Sequence, residues 1–250
     1  GVLTRLIGKW LKAGVMEDGQ WRSAEAGTPQ GGSVSPALAN VFLHEVLDSW
    51  FEETVKPRMH GRAQLVRYAD DAVLLFERED DARRVLRVIY DRFAKYGLTV
   101  HPEKTRLVQF TRPPREADSP KPHSGTFDLL GFTHYWRRSR RGHWVVYRKT
   151  AKDRYVRTRK AINQWCRSNR HRPIAEQWLS LCRKLEGHYR YFGIPGNMRQ
   201  LAAVWCIAHR RWRYWLARRS QRGQMPWSRF ERLVVRYPLP PPRLLARHRA

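Results

Sequence analysis

The strongest constraint on the fold lies in the segment from Leu65 to Phe76. Two short apolar runs, rich in residues that favour β-strands, flank the acidic pair Asp70-Asp71. Such runs on either side of a polar break predict a β-hairpin with both aspartates at or near its tip. Hairpin tips more often carry Asn-Gly or Asp-Gly, and two adjacent carboxylates repel each other unless a cation lies between them.

This acidic pair has the chemistry of a metal site for phosphoryl transfer. In such sites carboxylates hold two Mg²⁺ ions about 3.5 to 4 Å apart, one at the attacking hydroxyl and one at the leaving oxygens. Asp70 and Asp71 are therefore candidate metal ligands. The alternative is that both residues only keep a turn in contact with water, since Asp is common in turns. The four residues Tyr-Ala-Asp-Asp at 68–71 do not decide between the two without further motifs.

Charge is distributed unevenly along the chain. Residues 1–110 hold 16 Lys and Arg against 15 Asp and Glu, whereas residues 111–250 hold 33 against 7. Eight of the 11 Trp lie in the second part, which indicates a folded basic domain rather than a disordered basic tail. An excess of one sign on this scale predicts a polyanionic partner.

Three cysteines, Cys166, Cys182 and Cys206, lie far apart and lack the spacing of metal ligands. We expect them to be buried apolar residues in a reducing compartment. The sequence shows no signal peptide and no apolar run of membrane-spanning length. The expected location is therefore the cytoplasm, in association with nucleic acid.

Hydrophobic periodicity and breaking residues predict the remaining elements. Helices are expected after Ser35, which is placed as the N-cap, and over residues 80–96, 153–168, 174–192 and 198–219. Strands are expected at 98–100, 107–110, 127–132 and 144–147, the last two joined by a basic loop, 137–141. The Pro-rich stretch 111–126 is a predicted linker, and the chain from Tyr237 is expected to be flexible.

Several motifs in order resemble those of reverse transcriptases, most closely the reverse transcriptase/maturase proteins of bacterial group II introns. They are Gly27-Thr28-Pro29-Gln30-Gly31-Gly32 with Ser35-Pro36 and Asn40, Tyr68-Ala69-Asp70-Asp71, Gly97-Leu98 with Glu103-Lys104-Thr105, and Leu130-Gly131-Phe132. Residues 187–192 and the Trp-rich run 212–215 resemble the maturase domain of the same proteins. The resemblance implies an α+β fold, a partial right-hand polymerase palm followed by an all-α thumb/maturase domain. Its expected boundaries are palm 1–110, linker 111–126, and primer grip, thumb/maturase and basic tail 127–250.

The resemblance also implies roles for single residues. Asp70 and Asp71 would bind two Mg²⁺ ions, with a third carboxylate ligand expected upstream of this chain, which resembles the C-terminal portion of a longer protein. Tyr68 would lie beside the primer end, Gln30 and Gly31 would position template and nucleotide, and Lys104 would assist pyrophosphate departure or be a structural lysine. Leu130, Gly131 and Phe132 would form the primer grip. The expected RNA-binding residues are Arg137, Arg138, Arg140, Arg141, Arg157, Arg159, Lys160, Arg210, Arg211 and Arg213.

The expected function is RNA-directed DNA polymerisation for a bacterial group II intron, with binding of the intron RNA to assist splicing. The expected partners are the intron RNA, an RNA template, a DNA primer, dNTPs and target DNA. One alternative is a non-catalytic RNA-binding splicing maturase, which the missing upstream carboxylate favours and the intact Tyr-Ala-Asp-Asp disfavours. Another is the reverse transcriptase of a retron or CRISPR-linked system. The Trp-rich basic helices favour the intron.

Overall fold

The computed structural model describes residues 1–11, 15–17, 20–22, 34–115, 125–220 and 224–245. The chain divides into two compact units, residues 1–107 and 108–250. Both units combine helices with antiparallel strands, so the predicted α+β class is confirmed. Within the described ranges, the helices are all too short or too polar to cross a membrane.

The first unit contains a long helical segment, residues 35–58. It is preceded by a helix, α1 (Val2–Leu11), and a small hairpin, β1 (Val15–Glu17) and β2 (Gln20–Arg22). The segment begins as α2 (Ser35–Leu43) and continues through π-helical turns at His44–Ser49 and Phe51–Val55 into a 3₁₀ turn at Lys56–Arg58.

The N-terminus of α2 differs from its prediction by one residue. The carbonyl of Val34 already accepts the N–H groups of Ala37 and Leu38, so Val34 holds the N-cap position. Ser35 is the first helical residue, and its expected role as the cap is wrong. Pro36 lies in the first turn, where the missing N–H of proline leaves no helical hydrogen bond unmade.

The predicted hairpin around the acidic pair is confirmed. Strands β3 (Ala63–Tyr68) and β4 (Asp71–Phe76) are antiparallel, and Ala69 and Asp70 form the turn between them. Helix α3 (Glu79–Lys95) follows, and the chain leaves it through Gly97 at a φ of 71°. One face of the hairpin packs against a small hydrophobic core that the helices form. The core residues are Phe51, Val55 and Val85, and the strand residues packed against them are Ala63, Leu65, Leu74 and Phe76.

The chain after Gly97 does not form the two strands predicted there. Residues 98–100 and 105–110 have no regular secondary structure. The turn expected between them is present, since the N–H groups of Lys104 and Thr105 both donate to the carbonyl of His101. A run of three or four β-favouring residues forms a strand only when a partner strand completes its hydrogen bonds, and none pairs with these runs among the described residues.

The second unit opens with a three-stranded antiparallel sheet in the order β5 (Phe127–Leu129), β6 (Phe132–Arg138) and β7 (Trp144–Thr150). The single strand predicted over 127–132 is wrong, because Leu130 and Gly131 have φ values of 50° and 75° and reverse the chain. Both carbonyls of this turn are bonded elsewhere. The Leu130 carbonyl accepts the Tyr191 hydroxyl at 2.9 Å, and the Gly131 carbonyl accepts the N–H of Ala151 at 2.9 Å.

Four helices complete the second unit. They are α4 (Lys152–Ser168), α5 (Ile174–Phe192), α6 (Met198–Leu216) and α7 (Trp227–Arg236). The three predicted basic helices are confirmed, although the third ends at Leu216 rather than at residue 219. Their apolar faces form one core, whose largest fully buried members include Trp212, Tyr189, Phe230 and Leu201. Of the cysteines expected to be buried, Cys166 is buried, Cys182 is half-buried and Cys206 is exposed.

The described part of the C-terminal tail, residues 237–245, is packed against α5. Leu239 is buried, the carbonyl of Pro238 accepts the Trp178 indole N–H at 2.8 Å, and that of Pro240 accepts the Tyr189 hydroxyl at 3.1 Å. The prediction of a flexible tail from Tyr237 is therefore wrong over these residues. The reason is that proline carbonyls remain good acceptors even though proline has no N–H to donate.

Candidate active site

The hairpin places both predicted catalytic aspartates at its tip. Asp70 is the second residue of the two-residue turn, and Asp71 begins β4 opposite Tyr68. Both side chains are exposed, and neither carboxylate takes part in the ion pairs formed by the described residues. The acidic turn, residues 68–71, therefore presents two adjacent carboxylates to solvent, an arrangement that can accept a divalent cation.

The backbone of the acidic turn is held in an unfavourable conformation. Ala69 has a φ of 53°, in the left-handed region that residues with a Cβ atom rarely adopt. This conformation lets the chain reverse within two residues. Tyr68, which precedes Ala69, has 67% of its surface exposed.

One arginine connects the acidic turn to the long helical segment. The Nε and Nη2 atoms of Arg67 donate to the two carboxylate oxygens of Asp48 at 2.7 and 2.6 Å. Its Nη1 atom donates to the Ala69 carbonyl at 2.9 Å and to Asn40 Oδ1 at 2.9 Å. The hydrogen bonds from Arg67 hold the pKa of the Asp48 carboxyl below its usual range, although partial burial acts in the opposite direction.

Arg67 and Asp48 were not among the residues predicted from the sequence. The sequence of β3 does point to Arg67, because side chains alternate between the two faces of a strand and Arg67 shares the inward face with Ala63 and Leu65. An arginine on an apolar strand face needs hydrogen-bond acceptors nearby. No sequence rule identifies Asp48, 19 positions away, as the acceptor.

A second acidic cluster lies at the opposite end of the same hairpin. Ligand atoms of His60, Asp80 and Asp81 lie within 4.8 Å of one another. Asp81 is 1% exposed, and its carboxylate accepts the N–H groups of His60 and Gly61, each at 2.9 Å, and Arg84 Nη2 at 2.7 Å. These bonds give Asp81 a structural role, since they join the start of α3 to the chain that enters β3.

The other predicted polymerase residues are distributed over both units. Gln30 and Gly31 lie outside the described residues. Lys104 is exposed in the turn after α3. Leu130 and Gly131 form the β5–β6 turn, and Phe132 begins β6, where its ring stacks on Tyr191 with centroids 5.8 Å apart.

Most of the predicted RNA-binding residues are exposed on the second unit. The exposed ones are Arg137, Arg140, Arg141, Arg157, Arg159, Lys160, Arg210 and Arg211. The other two make contacts within the chain. Arg138 donates to the Arg115 carbonyl at 3.1 Å and lies over the Trp144 ring, while Arg213 donates to the Met225 carbonyl at 2.7 Å and lies over the Trp227 ring.

Comparison with known proteins identifies the family. The sequence pattern of the family described as reverse transcriptase (RNA-dependent DNA polymerase) matches residues 2–134, more than half of the chain, and this range includes the acidic turn. The group II intron-encoded protein LtrA of Lactococcus lactis subsp. cremoris is 52% identical over 44 residues, which are 18% of this chain and 7% of that protein. The protein of the same name from strain MG1363 matches to the same extent. The chain belongs to the reverse transcriptase family.

Proposed function

We propose that this chain is part of a group II intron reverse transcriptase that copies RNA into DNA and binds its intron RNA to assist splicing. The observation that carries the proposal is the acidic turn, in which Asp70 and Asp71 are exposed within a segment that matches the reverse transcriptase family. The assignment to a group II intron is supported by the partial likeness to LtrA, whose name describes it as intron-encoded.

The residues of the acidic turn fit Mg²⁺. Carboxylate oxygens are the protein ligands that this ion prefers, and both carboxylates are accessible. In the proposed site, Asp70 and Asp71 would supply ligands to two Mg²⁺ ions. Bound Mg²⁺ supplies activation of the primer 3′ hydroxyl and neutralises charge on the leaving oxygens.

The surrounding residues would position the reactants. In the reaction the primer 3′ oxygen attacks the α-phosphorus of a dNTP, and the bond to pyrophosphate breaks. Tyr68 would lie beside the primer end, Gln30 and Gly31 would position template and nucleotide, and Lys104 would lie near the departing pyrophosphate. Leu130, Gly131 and Phe132 would hold the primer.

This proposal assigns the two parts of the chain to different tasks. Residues 1–110 would form part of the polymerase palm, and residues 127–250 the primer grip and the thumb/maturase domain. The exposed cations of the second part would neutralise phosphates of template and intron RNA. Base identity would be read by pairing with the template, because phosphate contacts carry no sequence information.

The test is Mg²⁺-dependent primer extension on an RNA template by the complete protein that contains this chain. Wild-type protein is compared with Asp70→Ala and with Asp80→Ala, a matched control in which the exposed aspartate lies just after β4 and pairs with Arg78 at 3.0 Å. RNA binding is measured on the same proteins at increasing salt.

We expect Asp70→Ala to abolish extension and to leave RNA affinity within about twofold of wild type, while Asp80→Ala changes neither. RNA affinity should fall by roughly 10³-fold between about 50 and 200 mM salt if six or more phosphates are contacted.

Other results would favour the alternatives. RNA binding without any extension by the wild-type protein identifies a non-catalytic maturase. Equal affinity for intron RNA and an unrelated structured RNA favours a retron or CRISPR-linked enzyme. A flat salt dependence means that the basic faces of the second unit are not the contact surface.

A further inference from the structure

The acidic turn depends on an anchor outside itself. A two-residue turn at the tip of an isolated two-stranded hairpin has few contacts, and such hairpins are marginally stable alone. Among the described residues, the side-chain hydrogen bond to the main chain of this turn comes from Arg67, whose Nη1 donates to the Ala69 carbonyl at 2.9 Å. That carbonyl belongs to the residue with the left-handed φ of 53°, so the bond stabilises the strained peptide that leads into Asp70.

Arg67 is itself held on the side away from the turn. Its planar guanidinium forms a bidentate pair with Asp48 on the long helical segment, and Asn40, two helical turns earlier, accepts from the same Nη1 atom that reaches the turn. The Arg67 and Asp48 side chains are 13% and 25% exposed, so water competes weakly for these bonds. The arrangement links the helical segment, through one side chain, to the position of Asp70.

We propose that Arg67 is a positioning residue for polymerisation, which fixes the acidic turn on the long helical segment through Asp48 and Asn40. This inference rests on the proposed function. Arg67 acts through the backbone of Ala69, and the carboxylates of Asp70 and Asp71 remain the groups that meet the metal. Because displacement of a catalytic group by about 1 Å costs on the order of 100-fold in rate, loss of the anchor should reduce kcat much more than RNA affinity.

The experiment compares Arg67→Ala, Arg67→Lys and Asp48→Ala in the complete protein. Arg62→Ala is the matched control, because Arg62 lies at the other end of the same hairpin, pairs with Glu77 at 3.2 Å and has 93% of its side chain exposed. Primer extension is measured across a Mg²⁺ titration, and RNA binding is measured alongside. Amide hydrogen exchange of residues 68–71 provides a readout that does not depend on activity.

We expect Arg67→Ala to lower kcat by about 10- to 100-fold, to raise the Mg²⁺ concentration needed for half-maximal rate, and to speed exchange in the acidic turn. Asp48→Ala should reproduce part of this loss, and the double variant should be no worse than Arg67→Ala alone. Arg67→Lys should recover little, because lysine keeps the charge but lacks the fork that reaches Asp48 and Ala69 together. Arg62→Ala should match wild type in every readout.

Unchanged kcat and exchange in Arg67→Ala would overturn the inference. Full rescue by lysine would overturn it as well, because the role of Arg67 would then be reduced to its charge. An equal loss of RNA binding and extension also overturns it, since that is the result of general unfolding. If wild-type protein makes no DNA, the proposed function fails separately. In that case, faster amide exchange of residues 68–71 in Arg67→Ala than in wild type would still support the role of Arg67 in holding the turn. Equal exchange in the two proteins would contradict it.

Discussion

Asn197 and Thr150 are joined by two buried hydrogen bonds that connect the end of the sheet to the start of α6. The N–H of Thr150 donates to Asn197 Oδ1 at 2.9 Å, and Asn197 Nδ2 donates to Thr150 Oγ1 at 2.8 Å. The same Nδ2 donates to the Phe192 carbonyl at 2.9 Å. Asn197 occupies the N-cap position of α6, but its side chain bonds to the last residue of β7 and the last residue of α5 rather than to the helix it precedes.

The first prediction is that Asn197→Ala destabilises the second unit by about 3 kcal/mol, because the truncation leaves the Thr150 N–H buried without a partner and removes the hydrogen bonds to Thr150 Oγ1 and the Phe192 carbonyl. The expected change is a lower urea midpoint followed by tryptophan fluorescence, which reports mainly on this unit. Asn169→Ala is the matched control. Its Nδ2 makes a single hydrogen bond, to the Trp165 carbonyl at 2.8 Å, at a partly buried helix end, so it should cost less than about 1 kcal/mol. Equal shifts for the two variants would contradict the assigned role of Asn197.

The elements predicted well are those whose signal is local. The hairpin at residues 63–76 and the helices α4, α5 and α6 follow from period-two and period-3.6 patterns of apolar residues, whereas α7 was not predicted. The acidic pair was placed correctly at the hairpin tip for the same reason. The alternation of apolar and polar residues is visible over a few positions of the sequence, and it is sufficient to locate a turn between two strands.

The elements predicted wrongly depend on partners far away in sequence. Leu130 carries no turn signal, and its left-handed conformation is accompanied by a hydrogen bond from Tyr191, 61 positions away. Residues 237–245 have the composition of a loose tail, yet Trp178 and Tyr189 bond to their carbonyls. The Arg67–Asp48 pair is of the same kind. Such contacts form only once the helices are in place, so local propensity does not show them.

The second prediction concerns the strained residue of the acidic turn. Ala69→Gly should raise the free energy of unfolding of the first unit by about 0.5 to 1 kcal/mol, because glycine adopts the φ of 53° without a Cβ clash. Ala72→Gly is the matched control, since Ala72 is exposed in strand β4, three residues further on. There glycine should lower the free energy of unfolding by about 0.5 to 1 kcal/mol.

Thermal unfolding of wild type and both variants measures this contrast. The expected result is opposite signs for the two alanine-to-glycine changes. Destabilisation of similar size at both positions would mean that the backbone of Ala69 carries no strain that glycine can relieve.

The third prediction is a pH dependence that originates in α5. His188 is half-buried, its buried Nε2 has no hydrogen-bond partner among the described residues, and its ring packs on Phe192 with centroids 4.6 Å apart. Burial lowers the pKa of His188 from its ordinary value of 6.5 to about 4. Between these two values the unfolded chain binds a proton that the folded chain excludes. The free energy of unfolding therefore has its full value above pH 6.5 and decreases as the pH drops towards 4.

His188→Phe tests this linkage, because phenylalanine keeps the ring against Phe192 and cannot bind a proton. Between pH 7 and pH 4 the free energy of unfolding of the variant should fall by about 3 kcal/mol less than that of wild type. Urea unfolding at intervals across that pH range measures the difference. Burial also lowers the pKa of His134 and His209, but both remain in the variant, so their effects cancel in the comparison. His171→Phe is the control for the loss of a histidine, since His171 is exposed in the α4–α5 loop. Parallel pH profiles for wild type and His188→Phe would show that His188 accepts its proton as readily in the folded unit as in the unfolded chain.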